Sequence, residues 1–326
     1  MFSSRIAEDI EDCREIWNSV IIPERFSDLW EVRECFHRYY NHQPRFIFIE
    51  NTYGGKTLIP LSLVDEHNCY AYFPGETWQG QTWLEQNKIY ISNGFSMDDL
   101  ISSLDRPCHL RYISEFENFH SINTSIDEVG YLFVPSRYEY DMQNYFQEFS
   151  RKSYKQINRE IEGIKAKGVS FRYDDLSDFD IMISMNIKRF GTYSYFYDPR
   201  FRESFKSLAF FLRERGLLKI VTVLVKGEPA AVDMACLFKN VLTILAGGTD
   251  SRFPGIAKLI NMHHIEKACM DRVQEVDFLC GDFTWKKLFH LMPRPLYQYS
   301  NRPNAVMDTG AITFSYSRPV SGAVHA

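Results

Sequence analysis

The chain has 326 residues, of which 45% are hydrophobic, 24% charged and 15% aromatic, and its formal net charge is −5. That composition fits one large or two ordinary globular domains and excludes disordered and collagen-like classes. It supplies no bulk positive field to hold a nucleic-acid backbone, so DNA is not an expected partner. No apolar run reaches the roughly 18 residues of a spanning helix, and the first residues lack the basic-then-apolar order of a signal peptide. The seven cysteines are scattered with no Cys-x-x-Cys pair, which argues against a disulfide framework and a four-ligand zinc site. A reduced, cytoplasmic protein without a metal is expected.

Helical patterns open the sequence at about Ala7–Val20 and Glu24–Tyr40. Arg45–Glu50 and Thr57–Leu63 are rich in strand formers and flank Gly54-Gly55, a hairpin signal. Short strands fit Cys69–Phe73, Lys88–Ser92, Cys108–Ile113 and Tyr131–Val134. A long helix is predicted over Tyr145–Lys167. Tyr154, Ile157, Ile161 and Ile164 form one stripe of it, Arg151, Lys155 and Arg159 another, and Gly168 ends it. Helices at Asp178–Arg189 and Pro199–Arg215 follow.

The last third reads most clearly. Leu218–Val225, Ala230–Phe238 and Val241–Ala246 are three antiparallel strands with turns at Lys226–Pro229 and Lys239-Asn240. A helix over about Ile256–Asp271 and a strand at Glu275–Leu279 complete the unit. Gly55 and Gly227 occupy strand–turn–strand units, and Gly75 and Gly247 follow the next strand at the same separation. This faint echo suggests two similar halves, and chance coincidence fits it equally.

The strongest local signal is the loop Gly247-Gly-Thr-Asp-Ser-Arg252-Phe-Pro-Gly255-Ile256-Ala257, which joins a strand end to a helix start. Gly255 permits close backbone approach, Ala257 keeps the first turn open, and the free amides of a helix N-terminus suit a pyrophosphate. Arg252 adds a cation. An ordinary strand–helix connector fits the same spacing, and the loop is neither Gly-x-Gly-x-x-Gly nor a P-loop.

Arg252-x-x-Gly255-x-Ala257 resembles the Arg/Gln-x-x-Gly-x-Gly/Ala loop of GNAT-superfamily N-acyltransferases. Lys226–Val232, Gly247–Asp250 and Val276–Lys286 resemble the CelD/BcsL-type branch, whose Gly-Asp-x-x-Tyr-Lys run has Trp285 in place of the Tyr here. The basic helix from Ser150 is similar to that preceding the catalytic domain in this branch and in Fem-type aminoacyltransferases. The likeness is good over about Phe149–Phe289 and general over Arg45–Ile113. Pro254 removes one loop amide and Phe253 is bulky, two departures from the pattern.

The resemblance implies an α+β fold of two GNAT-like halves, each a mainly antiparallel mixed sheet flanked by helices. A degenerate half would span 1–140 and a catalytic half 141–326. It implies transfer of an acyl group from acetyl-CoA or another acyl-CoA to an amine of a small molecule or cell-envelope precursor. The strand end Ala246-Gly247-Gly248 would offer amides to the thioester oxyanion, and Arg252, Gly255, Ile256 and Ala257 would hold the cofactor phosphates. Asp282, following Gly281 at a strand end, is either the general base or a structural carboxylate bonding loop amides. Lys286 either stabilises developing charge near the donor or is a solvated surface residue. Asp233 interrupts an apolar strand and either orients the acceptor amine or faces water from an edge. Tyr193, Tyr195 and Trp78 would wall the acceptor, and Arg151 and Lys155 would meet an anionic acceptor or a tRNA end. His263 and His264 read as structural, since adjacent histidines are not a helical metal spacing. The rival readings are a Fem-like transferase using aminoacyl-tRNA and a degenerate GNAT-like binding module.

Overall fold

The computed structural model describes residues 2–92, 94–114, 121–281 and 283–301. Its first strand, β1 (Phe2–Ala7), precedes the first predicted helix and overlaps it only at Ala7. Helix α1 (Ile10–Val20) begins only after Asp9, whose carboxylate accepts from the amides of Glu11 and Asp12. The second predicted helix also starts late, at α2 (Trp30–Tyr40), because Asp28 takes the amides of Glu24 and Arg25 and ties that stretch into a tight turn. Strands β2 (Gln43–Asn51) and β3 (Lys56–Val64) form the expected hairpin, with Gly54 at φ 82° in its turn. With β1 and β4 (Cys69–Tyr72) they build a four-stranded antiparallel sheet in the order β1-β2-β3-β4.

The predicted strand at Lys88–Ser92 is not one; Tyr90 makes a single bridge to Leu58, and Asn87 one to Ile113. A short helix α3 (Met97–Ser102), β5 (His109–Ile113) and β6 (Thr124–Phe133) follow. The long helix predicted over Tyr145–Lys167 is two, α4 (Met142–Phe146) and α5 (Arg151–Lys165). Ser150 divides them, extended in backbone and accepting the Ser153 amide at 3.1 Å as an N-cap. Strand β7 (Val169–Tyr173) was not foreseen; α6 (Asp178–Phe190) and α7 (Pro199–Glu214) lie close to their predicted bounds.

Strands β8 (Leu218–Val225), β9 (Glu228–Phe238) and β10 (Val241–Thr249) form a meander. Its turns have both central residues at positive φ, Lys226-Gly227 at 52° and 83° and Lys239-Asn240 at 48° and 62°. This is the turn geometry that matches strand twist. Helix α8 (Ile256–Met270), β11 (Glu275–Asp277), α9 (Thr284–Leu288) and β12 (Met292–Ser300) complete the chain.

The larger sheet has eight strands in the order β5-β12-β6-β11-β10-β9-β8-β7. It crosses the 140/141 boundary: β6, from the first part of the chain, lies between β11 and β12 from the second. One face of this sheet buries Ala231, Ala235 and Val276 beneath α5 and α8. The other buries Val232, Met234 and Cys236 beneath α6 and α7, where Phe36 of α2 also packs. A third core fills the space between the four-stranded sheet and α1, and it includes Leu110 and Ile113 of β5 and Tyr299 of β12. The architecture is α+β, with two mainly antiparallel sheets flanked by helices. Among the described residues no helix is long and apolar enough to cross a membrane.

Candidate active site

Strand β10 pairs with β11 in parallel over only Val241–Glu275, Leu242–Val276 and Thr243–Asp277. Beyond Thr243 it continues to Thr249 against β9 alone, while the chain after Asp277 bends toward β6 with Leu279 at φ 55°. A wedge opens between two parallel neighbours. Within it β10 carries a bulge, because Ile244 and Ala246 face the consecutive residues Ala235 and Met234 and Leu245 is the extra residue. Ala246 and Gly247 lie half-buried along the wedge. Both glycines are required by close approach: a Cβ on Gly247 would sit 2.2 Å from Asp233 Oδ1, and one on Gly248 2.5 Å from the Met182 carbonyl. From α6, Asn186 Nδ2 donates to the Gly247 carbonyl at 2.7 Å, and the Ser194 hydroxyl donates to Asn186 Oδ1 at 2.7 Å.

The loop after β10 is tight. The Phe253 amide bonds the Asp250 carbonyl and the Ile256 amide bonds that of Phe253, each at 3.1 Å. Gly255, at φ 86°, is the N-cap of α8 and supplies no side-chain cap. The amides of Gly255 and Ala257 therefore have no acceptor among the described residues. Arg252 is exposed but engaged: it meets Asp250 at 2.7 Å and Glu228 at 3.2 Å. Its hydrogen bonds hold the Asp250 carboxyl below the usual carboxylate range. Any anion reaching Arg252 would have to exchange with these partners. Beside the loop lies a cavity of about 430 Å³ lined by Ser184, Lys188, Thr249, Asp250 and Arg252.

Asp233 stands in a central strand, not at an edge. It pairs with Gly247 on one side and Val221 on the other, and His264 Nε2 of α8 lies 3.0 Å from its Oδ2. His264 is itself buried. His263 stacks on Phe171 with ring centroids 4.1 Å apart, and burial pushes its pKa down to about 4.

Lys286 is not a surface residue. It is 2% exposed, and its ammonium donates to the carbonyls of Phe278, Leu279 and Cys280 at 2.9, 2.8 and 2.7 Å. Burial pushes its pKa down to about 8. It belongs to a buried polar cluster that the sequence reading missed. Asp277, fully buried, accepts from Gln86 Nε2 at 2.7 Å, Arg294 Nη1 at 2.8 Å and the Leu279 amide at 2.9 Å. Glu85 accepts the Cys280 amide at 2.6 Å. Burial and then the neighbouring Asp277 charge push the Glu85 carboxyl up to about 7.

The segment carrying Glu85 is braced from below. Buried Glu76 accepts from the Thr82 hydroxyl at 2.6 Å and from the amides of Trp83 and Leu84 at 3.2 and 2.8 Å. The Tyr195 hydroxyl donates to the Thr82 carbonyl at 3.1 Å, which joins the second half to this segment. Trp78 and Tyr197 bring their rings to 6.4 Å, while Tyr193 is 61% exposed. Arg151 and Lys155 are exposed on α5, whose buried residues pack with those of α8, whereas Tyr195 packs on the α6–α7 side. The structure does not bring these two groups together. Asp282 lies outside the described residues.

Residues 151–287 match the family model of an acetyltransferase (GNAT) domain. No curated protein matches the sequence. Among solved structures, the C-terminal domain of a putative lysylphosphatidylglycerol synthetase from Agrobacterium fabrum is 9% identical, with a TM-score of 0.54 over 90% of this chain and 92% of that one. FemX is also 9% identical, with a TM-score of 0.54 over 91% and 97%. A tandem GNAT protein from the clavulanic acid biosynthesis pathway is 8% identical, with a TM-score of 0.51 over 93% and 99%. At such identities the likeness is one of fold, and it spans both sheets. Residues 151–287 thus match an acetyltransferase (GNAT) domain, and the chain as a whole has a fold like those of FemX and the tandem GNAT protein.

Proposed function

We propose that the protein transfers an acyl group from an acyl-CoA to an amine of a small molecule or cell-envelope precursor. The observation that carries this reading is the wedge between β10 and β11, with a bulged strand on one wall and the uncapped start of α8 at its end. Backbone amides along Ala246–Gly248 would stabilise the oxyanion as an amine attacks the thioester. The open amides of Gly255 and Ala257, with Arg252 released from Asp250, would receive the diphosphate. Asp233, held by His264 against Gly247, would fix the strand that presents those amides. Lys286 would act at the β11 side by keeping the carbonyl-lined turn at 278–280 in place. Calorimetric titration with CoA, acetyl-CoA and longer acyl-CoAs tests the reading; one-site binding supports it, and no heat with any of them removes it.

A second reading rests on α5. Arg151, Lys155 and Arg159 are exposed along one stripe and have no salt-bridge partner among the described residues. An aminoacyl-tRNA donor would use such a stripe, and salt-dependent retention of tRNA would favour it. A chain that binds neither acyl-CoA nor tRNA would be a degenerate binding module.

A further inference from the structure

Where the first half meets the wedge, one buried carboxylate oxygen has no hydrogen-bond donor among the described residues. The Glu85 side chain is 7% exposed; its Oε1 takes the Cys280 amide, and its Oε2 has no hydrogen-bond donor. Arg294 Nη2 is 3.6 Å away, too far to donate, and that guanidinium is engaged with Asp277. All three protons of Lys286 go to carbonyls. Arg111 is engaged by Asp127 and Glu128. Four carboxylates (Glu85, Asp277, Asp127, Glu128) thus face three cations (Arg294, Lys286, Arg111), and Glu85 shares Arg294 with Asp277 without a hydrogen-bond donor of its own at Oε2. A buried carboxylate oxygen in this position is satisfied by a proton or by an N–H donor, and a cationic one favours the charged form.

Its place suits the acceptor. Asp277 pairs with Thr243 at the last rung before the wedge opens, and Glu85 binds the backbone three residues further on. Val276 points under α8, so Asp277 and the Glu85 cluster lie on the opposite face of the sheet. The donor loop at α8 and the Glu85 oxygen therefore approach the wedge from its two sides. Tyr195, Tyr112 and Cys280 lie within electrostatic reach of Glu85.

We propose that the acceptor is a primary amine, that its ammonium binds beside Glu85 Oε2, and that Glu85, a residue of the first half, removes its proton. The assignment rests on the acyl-transfer reading above. The ammonium gives one proton to the Glu85 carboxylate. The nitrogen lone pair then forms the bond to the thioester carbonyl carbon, and the C–S bond breaks. The thiolate leaves with its electron pair and takes the second nitrogen proton, giving amide and free thiol, and Glu85 returns its proton to solvent. Burial and then Asp277 favour the protonated carboxyl, while Arg294 and Lys286 oppose them; burial and then the Glu85 charge push the Cys280 thiol up.

The test is a carbon-13 titration of glutamate carboxyls in the full chain, with Glu85→Gln identifying the signal and Glu85→Asp as a second assignment. One glutamate should titrate near pH 7. Propylammonium chloride should lower that midpoint by about one unit or more, as an opposite charge in contact does. Tetramethylammonium chloride, with the same charge and no N–H, should leave it in place. No glutamate titrating near neutrality, no response to propylammonium, or an equal response to both salts would each overturn the assignment, and these are read on the wild-type chain even if the variants fail to fold. Acetyl-CoA binding is measured separately by calorimetry. A propylammonium response without acetyl-CoA binding keeps the amine site and removes the acyl-transfer reading; acetyl-CoA binding without the response does the reverse.

Discussion

The loop after β10 and the cluster after β11 lie at the two lips of one wedge and are built by opposite rules. In the loop the charges are exposed and local: Arg252 pairs with Asp250 two residues away and with Glu228 across a hairpin. In the cluster they are buried and distant: Gln86 meets Asp277, and Glu85 meets Cys280, across more than half the chain. Surface pairs contribute little to stability and exchange readily for a ligand. Buried pairs cost much to break and hold geometry. The loop is thus suited to receive a charged group, and the cluster to orient one.

That contrast can be broken by substitution. The largest loss should follow Asp277→Ala, which strands Arg294 and Gln86 in the interior; about 3–5 kcal/mol is expected from loss of a buried charge partner, read by urea unfolding. Lys286→Met should cost about 2–3 kcal/mol, since three carbonyls at 278–280 lose their donor. An unchanged unfolding midpoint in both would mean the cluster is not structural. Gly248→Ala drives a Cβ to within 2.5 Å of the Met182 carbonyl and should cost about 1–3 kcal/mol by overpacking. A smaller effect concerns pH. From pH 4.5 to about 7 the folded protein retains a proton on Glu85 that the unfolded chain has released. The contribution of this group to stability therefore falls as pH rises through that window. Glu85→Gln should flatten that limb, and an unaltered pH profile would show that the carboxyl is not raised. Arg252→Ala should leave the unfolding midpoint in place while weakening acetyl-CoA binding; a destabilised fold with intact binding would reverse the contrast.

The meander β8–β10 and helix α8 were legible because hydrophobic runs, turn residues and a helical stripe all lie within a few residues of one another. The split between α4 and α5 was not, because an unbroken helical pattern hides a serine cap at Ser150. Strand β12 was hidden by Pro293 and Pro295, which read as breakers but sit beside β6, where the pairing has a register shift. Lys286 was visible as a candidate, yet its burial depends on the turn at 278–280 and on Tyr131, whose ring centre is 5.3 Å from the ammonium. Glu85 carried no local signal at all. Its chemistry arises from residues of β11, α9 and β12 that the fold brings to it, and no spacing rule connects them. The loop motif pointed to one lip of the wedge and was silent about the other.

Hydrogen exchange with and without acetyl-CoA tests the donor side most directly. A thioester seated in the wedge with its diphosphate on α8 should slow exchange at the amides of 246–248 and 255–257 and leave the four-stranded sheet unchanged. Unaltered exchange in both stretches at saturating acetyl-CoA, or protection confined to the first half, would contradict it.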